Sequence, residues 1–157
     1  MDLVQVGATW LHLLATVALV GYYAVVGLIV LPAVRQTVPA REFGETIGAV
    51  ERRALPVIVG ALIVFLATGV SLMGNDPSYE GVGNVTGSAW ATLLLAKHLV
   101  VLVMVGLGAY IDALIARRFA TGDPGQPAPV RRLSIAVGAM TLLGAVVLLM
   151  SAVAQAT

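Results

Sequence analysis

The chain has 157 residues, of which 59% are apolar and only 11% charged, with no cysteine and a formal net charge of +1. Soluble domains average about 25% charged residues, so this composition excludes a soluble globular protein and specifies an integral membrane one. The missing cysteines exclude disulfides, thiolate metal centres and c-type haem attachment, and no basic amphipathic surface offers itself to nucleic acid.

A membrane-spanning helix needs about 20 consecutive, mostly apolar residues. Four segments reach that length: residues 3 to 34, 55 to 73, 89 to 116 and 133 to 154. Met1 and Asp2 supply no basic n-region, so the first segment is read as a span and not as a cleaved signal peptide. The first connection, RQTVPAREFGETIGAVERR, carries Phe43, Ile47 and Val50 at helical spacing and predicts a short interfacial helix. The second, GNDPSYEGVGNVTGS, is a glycine-rich turn region. The third, RRFATGDPGQPAPVRR, is broken by proline and glycine and is not read as a continuous helix.

Arg35, Arg41, Arg52, Arg53, Arg117, Arg118, Arg131 and Arg132 all fall in the first and third connections, and the N-terminus, the second connection and the C-terminal tail hold no lysine or arginine. Basic residues in short loops stay on the cytoplasmic side. The expectation is a multi-pass protein of the inner (cytoplasmic) membrane with both termini extracytoplasmic. RRALPVIVGALIVFLATGVSLM also resembles RRLSIAVGAMTLLGAVVLLM, which is compatible with a parallel two-helix repeat.

Ionisable residues inside a span cost ~2.5–3.5 kcal/mol at the centre and default to functional candidates. Here they are His12, Lys97, His98 and Asp112, and the chain has only two histidines. His12 lies ~34 Å of helix from Arg35, and His98 ~28 Å from Arg117. Both imidazoles therefore sit toward the outer leaflet at similar depth, with Trp10 and Trp90 just outward as interfacial aromatics. Thr9 and Thr16 share the small, mildly polar stripe around His12. Two neutral imidazoles facing each other across a four-helix bundle suit a six-coordinate b-type haem.

Copper is the competing ligand, because Cu(I) favours thioether and imidazole donors. Met73, Met104, Met140 and Met150 are the candidates, although no Met-x-x-x-Met or His-x-x-x-Met pattern appears. Lys97 lies about 100° from His98 round the helix. It is expected to snorkel toward the headgroups, or to meet a haem propionate or an anionic substrate. Asp112 is expected to pair with Arg117 near the cytoplasmic end.

The stretches LHLLATVALVGYYAVVGLIVLPAV, ERRALPVIVGALIVFLATGVSLM and SAWATLLLAKHLVVLVMVGLGAYID resemble the membrane domain of CopD-type copper-resistance proteins. The resemblance covers roughly residues 11 to 116. It rests on the basic residue before the second helix, Thr68-Gly69, Trp90, Leu94, Lys97 and the Gly106/Gly108 pair. It implies copper uptake or handling across the inner membrane. The arrangement is also similar to the HemJ-type haem membrane proteins through His12, Leu31-Pro32 and Lys97. That similarity implies a haem-bearing redox protein.

The reading taken forward is an all-α integral-membrane four-helix bundle, one domain over residues 1–157. Its expected function is electron transfer, as an oxidoreductase component, by haem b held between the metal ligands His12 and His98. Lys97, Trp10, Trp90, Thr9 and Thr16 complete the cofactor pocket. Its expected partners are the lipid bilayer and a redox protein or quinone, within an oligomer or a larger membrane complex. Two alternatives stand beside it: a CopD-like protein moving a copper ion, and a structural subunit with no cofactor.

Overall fold

The Asp2 carboxylate starts the first helix by accepting from the Val4 N–H at 2.9 Å, which satisfies one of the free donors of the first turn. Helix α1 (Leu3–Val25) runs without a break into a π-helical turn (Val26–Val30) and then α2 (Leu31–Thr37). Pro32 explains the wide turn. It has no N–H for the Leu28 carbonyl, and its ring crowds that turn. The Leu31 N–H donates instead to the Val26 carbonyl, five residues back, so the rod widens and continues.

The structure is a computed structural model, and it describes residues 2–79, 81–84, 86–116 and 127–156. Expectations that rest on Arg117, Arg118 and most of the third connection lie outside those residues. The remaining elements are α3 (Ala40–Gly74), a 3₁₀ turn (Val82–Asn84), α4 (Ala89–Leu114) and α5 (Pro127–Ala156). Ser88 caps α4, its Oγ accepting from the Ala91 N–H at 3.0 Å. Four helical segments are long and apolar enough to cross a membrane, and no strand occurs among the described residues.

Two boundaries differ from the sequence reading. The interfacial helix expected in the first connection is fused to the second span, so that α3 is one helix with Pro56 inside it. Proline forfeits only its own bond to the carbonyl four residues back, and the helix on either side carries through. Helix α5 begins at Pro127, before the expected start at residue 133, with proline in the first turn, where its missing N–H costs nothing.

The side chains are sorted for lipid. Leu28, Val17 and Leu102 are 74%, 69% and 66% exposed, which water would penalise and hydrocarbon does not. Backbone packing runs as an arc, α3 on α1, α1 on α5 and α5 on α4, with no extended contact of α4 with α1 or α3. Gly144 permits the α1–α5 contact. A Cβ there would sit 3.0 Å from both γ-carbons of Val20.

The dense core lies at the arginine-bearing end, where Leu31, Phe43, Ile47, Ile111, Leu114, Leu133 and Val137 are buried. Phe43 and Ile47 thus seal the bundle from below and do not float in the interface. Toward the other end α4 stands off from α1 and α3, and a crevice opens between them.

Candidate functional site

The crevice encloses about 240 Å³. Thr16, Leu19, Val20 and Tyr23 line it from α1, and Leu55 to Phe65 from α3. Met104, Val105 and Asp112 line it from α4, and Met140 and Val147 from α5. Its walls are apolar apart from Thr16, Tyr23 and Asp112. Sequence reasoning had named Met104 and Met140 as isolated thioethers; the bundle brings both to one cavity.

His12 sits just beyond Thr16, at the end of the crevice remote from the arginines. Its ring stacks on Phe65 with centroids 4.4 Å apart. Its Nδ1 lies 2.9 Å from Thr68 Oγ1 and 3.1 Å from the Phe65 carbonyl oxygen. Two facts fix the tautomer. The carbonyl can only accept, so Nδ1 must carry the hydrogen. The Thr68 hydroxyl donates its own proton to the Val64 carbonyl at 2.6 Å, so toward His12 it too accepts. The neutral imidazole therefore keeps its lone pair on Nε2. A backbone oxygen that holds one ring nitrogen and frees the other is the usual support of a metal-ligating histidine. Gly69 makes the approach possible, since a Cβ there would stand 3.2 Å from His12 Cε1.

Thr16 is buried, and its hydroxyl donates to the His12 carbonyl at 2.7 Å. Thr9 and Trp10 lie on the exposed side of α1, with the Thr9 hydroxyl returned to the Gln5 carbonyl at 2.9 Å. They do not join His12. Trp90 is half-buried in the first turn of α4.

The expected pairing of His12 with His98 does not form. His98 is exposed, and its Nδ1–H donates to the Leu94 carbonyl of its own helix at 2.7 Å. Lys97 is half-buried and within electrostatic reach of His12. The cause is rotational. Neighbouring helix positions are 100° apart, and α4 docks on α5 through a face that turns Lys97 inward and His98 toward lipid. Lys97 therefore does not snorkel freely. A six-coordinate haem b needs two facing nitrogens, and this chain alone supplies one.

At the other end of the crevice is a polar group that the sequence reading missed. The Tyr22 hydroxyl of α1 donates to Glu51 Oε2 of α3 at 2.7 Å, and Asp112 lines the crevice from α4. Asp112 was expected to pair with Arg117, which lies outside the described residues. The signal for Glu51 was present. Extending the buried period of Phe43 and Ile47 by four residues places Glu51 on the same face. Among the described residues no three His, Asp or Glu side chains gather into a chelating group.

A family model described as Copper resistance protein D matches residues 48–154. No curated protein and no solved structure matches the chain.

Proposed function

Because the chain belongs to the copper resistance protein D family, we propose that its cargo is a copper ion and that the crevice is where the ion is held within the membrane. His12 Nε2 receives the ion, and the thioethers of Met104 and Met140 take it deeper. Imidazole and thioether are the donors Cu(I) prefers when thiolates are absent, and apart from Thr16, Tyr23 and Asp112 the rest of the wall is apolar. The observation that carries this reading is the fixed Nδ1–H tautomer of His12 at the head of a crevice lined by two methionines.

Lys97 has a part in it. An ammonium near the imidazole opposes a second cation, so the ion binds weakly. Passage requires a site favourable enough to enter and weak enough to leave. Eight arginines in the first and third connections support an orientation with the Glu51 end toward the cytoplasm and the His12 end outward, in the inner membrane.

The test is copper transfer in proteoliposomes, read by elemental analysis of the vesicle lumen. His12→Ala, and separately the double variant Met104→Leu with Met140→Leu, are expected to abolish transfer at unchanged protein content. Wild-type rates in both variants would overturn the reading. So would purification of the protein with one b-type haem per chain.

A further inference from the structure

Lys97 lies inside a span and is half-buried. An ammonium in hydrocarbon needs an anion, and the described residues supply none. The one salt bridge among them joins Arg41 to Glu42. At the end of the bundle away from the arginines the described acids are Asp2 and Asp76. Each accepts instead from a backbone N–H of its own turn, Val4 and Ser78, at 2.9 Å.

The face of α4 that carries Lys97 continues into the crevice. Val101, Met104 and Gly108 follow it down one side of the helix, and all three line the crevice. From Val101 to Asp112 the slot follows ~16 Å of helix. That is about half of the ~30 Å hydrocarbon core, and so one leaflet deep. A volume of about 240 Å³ over that length is far narrower than a helix, ~10–12 Å across. The slot opens sideways, because α4 has no extended contact with α1 or α3, and the wall residues Val59 and Val105 are exposed. Trp90 stands two turns outward of Lys97 on the same face, ~10 Å away. Tryptophan there marks headgroup level, and the four-carbon stem of lysine covers part of the distance.

We propose that the crevice is a binding site for one anionic phospholipid, with its phosphate on Lys97 and one acyl chain lying down the slot past Val101 and Val105. Charge complementarity selects the head, since the ammonium has no acid of its own. The width of the slot selects an acyl chain over a helix of another protein. A zwitterionic lipid carries its own cation beside the phosphate and gains less from Lys97. His12 adds nothing to the head group. Its Nδ1–H is held by the Phe65 carbonyl, and its Nε2 lone pair cannot donate to an anion. The inference does not rest on the copper reading; chain and ion are alternative occupants of one slot.

The absence of native cysteine makes the test direct. Val105→Cys in the full chain carries a fluorophore in phosphatidylcholine nanodiscs. A minor fraction of the lipid is replaced by phosphatidylglycerol or phosphatidylcholine brominated at mid-chain, which quenches on contact. Brominated phosphatidylglycerol is expected to quench at about one-fifth of the concentration that brominated phosphatidylcholine needs, the preference one lysine confers. Lys97→Gln should erase that preference and Lys97→Arg should keep it. The same label at Leu142→Cys, exposed on α5 and outside the crevice, should show none. Equal quenching by the two lipids at residue 105, or a preference that survives Lys97→Gln, would overturn the site. So would an equal preference at residue 142, which marks a general attraction of the protein for anionic lipid. Native mass spectrometry of the unlabelled wild-type protein gives a second reading. Phosphatidylglycerol should stay bound where phosphatidylcholine is lost. No such retention would overturn the proposal even if the labelled variants failed to fold.

Discussion

Thr68→Val tests the tautomer argument at its narrowest point. Valine matches threonine in shape and removes one acceptor from His12 Nδ1–H. The Thr68 proton is already committed to the Val64 carbonyl, so the hydroxyl acts on His12 only by accepting. The Phe65 carbonyl remains at 3.1 Å, and Nδ1–H is weakened without being orphaned. The loss is therefore one neutral hydrogen bond, about 1 kcal/mol, or about fivefold in an equilibrium constant. Two measurements follow. Nitrogen-15 spectra of labelled histidine should show Nδ1–H as the main tautomer in wild type, with Nε2–H rising in the variant. Cu(I) titration against a chromophoric chelator should show affinity weakened about fivefold, and Thr68→Ser should restore it. An unchanged tautomer ratio in Thr68→Val, or a Thr68→Ser variant as defective as valine, would refute the reasoning.

Lys97→Gln removes the charge that opposes a cation near His12, and copper affinity in the same titration should tighten on the order of tenfold. His98→Ala should change neither that affinity nor thermal stability by more than about 0.5 kcal/mol, since among the described residues His98 bonds the Leu94 carbonyl of its own helix. Equal loss from His98→Ala and His12→Ala would restore the expected two-histidine site. Gly144→Ala should cost about 1–3 kcal/mol in detergent unfolding, because its Cβ would meet two γ-carbons of Val20 at 3.0 Å.

Much of the bundle was legible in the sequence. Runs of about 20 apolar residues in a medium that cannot hydrogen-bond to backbone have few alternatives to helices, and the four spans follow from that rule. The same rule singles out His12 and Lys97 as candidates, because a polar group in hydrocarbon needs a reason. Even the buried start of α3 was written in the spacing of Phe43 and Ile47, although its fusion to the second span was not. The second span was expected to start at residue 55, and the structure carries the helix through Pro56 from Ala40.

Rotation and neighbours were decided by the tertiary structure. A helix that is apolar all round gives no periodic clue to which face meets protein and which meets lipid. His98 and Lys97 are adjacent in sequence and similar in cost, and nothing local says which of them turns inward. The arc of contacts α3–α1–α5–α4 makes that choice. It sets Lys97 toward His12, leaves His98 exposed, gathers Met104 and Met140 on one crevice, and brings Glu51 to the Tyr22 hydroxyl. Composition fixes that a chain is in the membrane because transfer free energies add residue by residue. Which side chains meet depends on close packing between helices, which no residue carries alone.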